Sequence, residues 1–215
     1  IVDLGVDVRL NCRIGTDVTL GELRHDYSAV FLGMGAQSGR PLPAPGGDAP
    51  NVVTATAFLK AFNDGRLRHV GKRVVVIGGG FTSMDCVRTS VRQGASEVTL
   101  VYRRDMKDMP AAGEVHEAIE EGVTAIFQAG PTRVITDEAT GKVTGVEFIR
   151  MQLGAPDASG RRRPEPAPGT EFTIPCDRVL LAIGQGPELD WLASPGNEGP
   201  EKTKQWRLKA DAVTF

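Results

Sequence analysis

The chain has 215 residues, 40% hydrophobic and 24% charged, with a formal net charge of −2. This is the make-up of a soluble globular protein, long enough for one large domain or one domain with pieces of another. The near-neutral balance gives no general attraction to nucleic acid or anionic membrane, and no apolar run nears the roughly 20 residues that span a bilayer.

In chain order, residues 6–10 alternate apolar and polar like a half-buried strand. A helical turn is expected at 19–23 and a second strand at 27–32. Residues 37–50, with Pro41, Pro43, Pro45, Gly46, Gly47 and Pro50, read as an irregular linker. Thr54 is a candidate cap for a helix over 55–62, stopped by Asn63-Asp64-Gly65. The run Val74-Val75-Val76-Ile77 is continuously β-branched, as in a strand covered on both faces. A helix over 82–93 and a strand over 97–102 complete a β-α-β unit with parallel strands. A helix over 114–120, with Glu114, Glu117, Glu120 and Glu121 facing solvent, and a strand over 123–127 come next. Residues 132–153 read as a β-hairpin turning at 136–141. Residues 154–169, with Arg161, Arg162 and Arg163, read as an exposed loop. Strands are expected at 171–174 and 178–183, and a weak alternation at 207–215. The fold class is α/β: a Rossmann-like, three-layer dinucleotide-binding domain with a central parallel sheet and a β-hairpin or meander.

The loop Gly78-Gly79-Gly80-Phe81-Thr82-Ser83 lies directly after the Val74–Ile77 run and opens the next helix. Its G-x-G-x-x-small pattern gains weight from the strand, helix and return strand around it. Gly78 permits the tight turn, Gly80 leaves the backbone open to a pyrophosphate, and a small Ser83 lets helix and strand pack closely. The free N–H groups of the helix start attract phosphate. At the end of the second strand, an NAD site places Asp or Glu for the ribose 2′-OH. Here stand Tyr102-Arg103-Arg104 and then Asp105, which can pair with one Arg. Two guanidinium groups suit a 2′-phosphate, so NADPH is expected over NADH. Ile183, Gly184 and Gln185, at the carboxyl end of a buried strand, are further candidate cofactor contacts.

Cys12, Cys86 and Cys176 are far apart and form no C-x-x-C, and His25, His69 and His116 do not cluster with them. Neither a metal site nor a redox disulfide is expected, and free thiols fit a reducing cytoplasm. No side chain stands out as catalytic, which suits hydride passing to a second cofactor that does the chemistry.

Taken together, Val74 to Asp85, Arg88-Thr89, Val101-Tyr102-Arg103-Arg104, Met109-Pro110, Glu120-Glu121-Gly122, residues 154–164 and Leu181 to Gln185 resemble the small (β) subunit of NADPH-dependent glutamate synthase. The resemblance covers nearly the whole chain, and ferredoxin:NADP reductases share the same core. It implies an FAD domain interrupted by an NADPH domain: residues 1–36 as the end of the first FAD segment, 37–185 as linker and NADPH domain, 186–215 as the start of the returning FAD segment. It further implies hydride transfer from NADPH to FAD. Electrons then pass through iron–sulfur clusters, with ligands outside this chain, to a large catalytic subunit or another acceptor protein. The chain lacks a starting Met and the basic and apolar regions of a signal peptide. The family's glycine-rich FAD motif and cluster cysteines are missing, and Phe81 replaces a polar residue common there. The chain is therefore expected to be a piece of a longer protein, inactive alone. Two other readings compete: the NADPH domain of a ferredoxin:NADP or disulfide reductase relative, and a non-catalytic NADPH-sensing domain.

Overall fold

The computed structural model describes residues 2–156, 162–203 and 208–210. Contacts divide the chain into two compact units, Gly39–Gln185 and the pair Ile1–Ser38 with Gly186–Phe215. The elements in order are α1 (Leu20–Asp26), β1 (Ser38–Gly39), β2 (Val52–Thr54), α2 (Ala55–Asn63), β3 (Arg73–Ile77), α3 (Phe81–Arg92), β4 (Glu97–Tyr102), α4 (Val115–Glu120) and β5 (Thr124–Phe127). The chain continues with β6 (Ala129–Thr136), β7 (Val143–Pro156), β8 (Arg162–Pro166), β9 (Phe172–Pro175), β10 (Arg178–Leu181) and β11 (Gln185–Gly186). No helix among the described residues is long and apolar enough to cross a membrane.

In the unit Gly39–Gln185, five parallel strands stand in the order β2-β10-β3-β4-β5. The β-branched run of β3 explains its central place. Val74 and Val76 face one core with α2, α3 and α4, including Phe58, Met84 and Val115. Val75 and Ile77 face a second core with Val134, Val146 and Phe148. That second core lies under an antiparallel meander in which β7 pairs β6, β8 and β9. Helices, parallel sheet and meander are the three layers. Phe148 is fully buried and stacks on Phe172 with ring centroids 5.8 Å apart. The Arg150 guanidinium covers the Phe172 ring at 4.6 Å.

Several sequence expectations are corrected. The polar loop at 154–169 is instead the far end of a hairpin: β7 runs on to Pro156, and Arg162 to Pro166 pair with it as β8. Its polar composition reflects two exposed faces, and the ladder alone makes it a strand. Arg161 lies outside the described residues. Strand β2, between the linker expected at 37–50 and the helix capped by Thr54, is held by β10 through Val52↔Val179 and Val53↔Leu180. Glu117 and Glu121 are not merely a solvated face. Arg88 reaches Glu117 at 3.2 Å and Glu121 at 2.7 Å, and Arg92 reaches Glu121 at 2.9 Å, tying α3 to α4. The Glu121 carboxyl is held below its ordinary range chiefly by the hydrogen bond from Arg88.

In the other unit, Thr19 and Glu22 form a capping box that starts α1. Buried Asn197 accepts from the Leu20 N–H at 2.8 Å. Leu20, Leu189 and Leu192 make its small core. The segments 6–10 and 27–32 are not strands. Among the described residues neither finds a ladder partner, and Val6, Val8, Leu10 and Phe31 stay exposed, so the alternation has no neighbour to act on. Of the weak alternation at 207–215, only residues 208–210 fall within the described residues.

Candidate functional site

All five parallel strands end at one edge, and the site is built from the loops and helix starts that leave that edge. After β3, Gly78 turns with φ +151°, and its N–H continues the ladder to the Val101 carbonyl at 3.0 Å. A Cβ at Gly78 would run into the Ala182 backbone carbonyl, so the loop after β10 demands glycine here. Gly79 lies under the Tyr102 ring, where a Cβ would come within 2.5 Å of Cδ2 and Cε2. Tyr102 is fixed in turn by its hydroxyl, which donates to the Asp108 carbonyl at 3.1 Å. Gly80 is different. Its φ of −93° is open to any residue, and a Cβ there would meet nothing within 4 Å. Its glycine therefore serves nothing in the fold; it leaves bare backbone at the start of α3.

The first amides of α3, from Phe81 and Thr82, have no intrahelical acceptor. Ser83 is fully buried and its hydroxyl donates to the Gly80 carbonyl at 2.5 Å, which locks the loop to the first turn. With the helix dipole this makes a seat for an anion. Phe81 does not fill the cleft: it is 60% exposed beside the loop.

A cleft of about 280 Å³ opens at this edge. Gly80 and Thr82 form one wall, Leu181, Ala182, Gly184 and Gln185 the floor after β10, and Gly39, Ala55 and Thr56 the far side. No carboxylate lines it. Its size lies just below the usual range of ligand sites, roughly 300–1,000 Å³. Of the three predicted residues after β10, Gly184 and Gln185 line the cleft, while Ile183 packs into the meander-side core. The start of α2 was expected as a helix start, but its place at the site was not. It is capped by Thr54, whose hydroxyl accepts from the Ala57 N–H, and the cap itself was the available signal for a second strand-to-helix junction.

On the other flank of the glycine loop, Ile77 is level with Val101, so Arg103 and Arg104 directly follow the strand that pairs with β3 on that side. Arg103 is exposed and Arg104 half-buried. Among the described residues neither has a carboxylate partner. Asp105 does not neutralise them; it accepts from the Lys107 N–H and caps the turn Met106–Asp108. The Arg104 carbonyl is pinned by the Gln128 N–H at 3.0 Å. A larger cleft of about 520 Å³ exists in the other unit, around Leu20, Arg24 and Tyr27. It has no glycine loop, so the chemistry selects the smaller one.

The comparisons agree with this architecture. The NADPH-Fe(3+) oxidoreductase subunit beta of Geobacter sulfurreducens is 50% identical over 208 residues, 95% of this chain and 30% of that protein. The NADPH glutamate synthase small chain of Escherichia coli is 44% identical over 203 residues, 88% of this chain and 43% of that protein. The chain thus spans less than half the length of these relatives. The solved structure of FprA from Mycobacterium tuberculosis shares the fold, with a TM-score of 0.71 over 91% of this chain and 57% of that one at 21% identity. The family model described as pyridine nucleotide-disulphide oxidoreductase matches residues 5–212. With a glycine loop, a bare backbone approach and a helix start at the carboxyl edge of a parallel sheet, and this match over most of its length, the chain belongs to the pyridine nucleotide-disulphide oxidoreductase family.

Proposed function

We propose that residues 39–185 hold NADPH and present its nicotinamide to a flavin bound elsewhere in the intact protein. The observation that carries this is Gly80: it is open on its Cβ side, stands at the start of α3, and is flanked by two arginines without acidic partners among the described residues. In this reading the Gly80–Thr82 backbone takes the pyrophosphate. Arg103 and Arg104 take the 2′-phosphate, for which planar guanidinium groups are suited. Leu181, Ala182, Gly184 and Gln185 receive the nicotinamide half and keep water from one of its faces. The bound cofactor supplies the hydride; the protein supplies orientation and electrostatics.

The unit formed by Ile1–Ser38 and Gly186–Phe215 is proposed as part of the flavin domain. Onward transfer through iron–sulfur clusters to a partner subunit is the proposed role of the intact protein. A relative named for iron reduction is more similar, at 50% identity, than one named for glutamate synthesis, at 44%. This favours a shared entry module for NADPH electrons over a module dedicated to glutamate. The chain alone is expected to bind NADPH and to turn over nothing; a stoichiometric yellow flavin in the purified chain would refute that part.

The test is calorimetric titration with NADPH and NADH. NADPH is expected to bind more tightly, and Arg103→Ala or Arg104→Ala to weaken NADPH about tenfold while leaving NADH nearly unchanged. Equal affinity for both nucleotides, unmoved by the substitutions, would overturn the assignment.

A further inference from the structure

Arg103 and Arg104 sit in a loop that one side chain closes. Along β4, Val98 and Leu100 point into the helix-side core, and the two-residue period of a strand sends Tyr102 the same way. Tyr102 is the last residue of β4 and is still in register with Phe127 of β5. From there its ring reaches across the glycine loop and occupies the space that a Cβ on Gly79 would need. Its hydroxyl passes on to the Asp108 carbonyl, to which it donates at 3.1 Å. That bond joins the two ends of the segment 102–108, and both arginines lie between them.

The rest of the loop is tied to the same place. Asp105 caps the turn Met106–Asp108, which sets the Asp108 carbonyl. Met109 is buried and also bears on Gly79, with its Cγ 2.9 Å from where a Cβ would stand. The Ala111 N–H donates to the Gly79 carbonyl at 3.3 Å. The arginine loop therefore leaves β4 and returns to the glycine loop. On its other side the Arg104 carbonyl accepts from Gln128, which makes that bond at φ +55°, uncommon for a residue other than glycine. Two guanidinium groups grip a phosphate well only if both stems start from a fixed backbone. A loop that had to be ordered on binding would give up part of the gain. NADH has no 2′-phosphate and draws nothing from this order.

We propose that Tyr102 is a positioning residue for the arginine pair. Its ring, seated on Gly79, and its hydroxyl, bonded to Asp108, hold the backbone of Arg103 and Arg104 in place for the 2′-phosphate. The preference for NADPH over NADH then depends on a side chain that acts through the loop and not by contact with the phosphate. This rests on the NADPH reading above.

The test is calorimetry on the full 215-residue chain with NADPH and NADH, read as the ratio of the two dissociation constants. Tyr102→Phe keeps the ring and removes the hydroxyl. It is expected to weaken NADPH about threefold and to move NADH by less than about 1.5-fold. Tyr102→Leu also removes the seat on Gly79, and is expected to weaken NADPH about tenfold and NADH by less than about twofold. With Arg103→Ala and Arg104→Ala already in place, Tyr102→Phe should change NADPH binding by less than about 1.5-fold, because no guanidinium is left to position. A residue that only supports the fold would cost the same in both backgrounds. An unchanged ratio in both Tyr102 variants overturns the assignment. Equal weakening of the two nucleotides also overturns it, since that result places Tyr102 on the fold or on the pyrophosphate loop. So does a loss that persists without the arginines. In these three cases the NADPH reading stands on its own substitutions; a parent chain with no preference for NADPH removes both together.

Discussion

The pair Gly78→Ala and Gly80→Ala separates fold from ligand at two positions of one loop. At Gly78 a methyl group meets the Ala182 carbonyl and must be carried at φ +151°. Strain of this kind amounts to about 1–3 kcal/mol, and overpacking adds about 1–3 kcal/mol. With a shift of about 2–4 °C per kcal/mol for a chain of this size, the melting midpoint should fall by roughly 10 °C. At Gly80 the backbone is already extended and the space is open. Alanine is a poorer cap than glycine, by somewhat under about 1 kcal/mol. It also restricts the unfolded chain, a gain of about 0.4–1 kcal/mol. These nearly cancel, so stability should stay within about 0.5 kcal/mol of the parent. The same methyl, however, stands where a phosphate must approach the α3 amides. Losing one charge-assisted hydrogen bond is worth about 1.5–3 kcal/mol, a rise in Kd of about 10- to 100-fold. Melting curves and NADPH titrations of both variants give the four numbers needed. If Gly80→Ala binds NADPH as tightly as the parent, phosphate does not approach that backbone and the site is misassigned.

Further outcomes can be checked on the same material. Burial pushes the Cys86 and Cys176 thiols up to about 12, whereas Cys12 is half-exposed; a thiol reagent at pH 8 should label one cysteine per folded chain and three in denaturant. Glu121 ionises more readily when folded, so its stabilising effect is present above its unfolded pKa and is lost as pH falls through the lower folded one. The melting midpoint of Glu121→Gln should therefore lie below the parent at neutral pH and approach it as the solution is acidified through that window. Phe148→Ala should destabilise by about 3–5 kcal/mol in denaturant titrations, because the ring is wholly buried in the meander-side core.

The β3-α3-β4 unit and its glycine loop were legible because their signals are local: a β-branched run, three glycines and a return strand. Strand β2 was not, because three residues next to Pro50 carry no period of their own, and only the ladder to β10 makes them a strand. Strand β8 escaped for the same reason, being polar on both faces and defined by β7 alone. The site divides likewise. Gly80, Arg103 and Arg104 follow from one supersecondary unit. Gly39, Ala55 and Thr56 reach the cleft only because β10, some 100 residues after β3 in sequence, inserts between β2 and β3. No local pattern announces an insertion of that kind. The segments 6–10, which alternates, and 27–32 show the converse: a strand-like composition without a neighbour does not make a strand.

Strand β3 feeds alternate side chains into both cores and is hydrogen-bonded on both edges, by β10 and by β4. Its amides should be among the last in the molecule to exchange with deuterium, opening only with the whole unit. The glycine loop after it, by contrast, leads to unpaired donors at Phe81 and Thr82. A ligand that settles there should slow exchange at the loop and first turn of α3 while leaving β3 unmoved. The boundary between slow and fast amides would then fall at the Ile77–Gly78 bond, marking where scaffold ends and recognition begins.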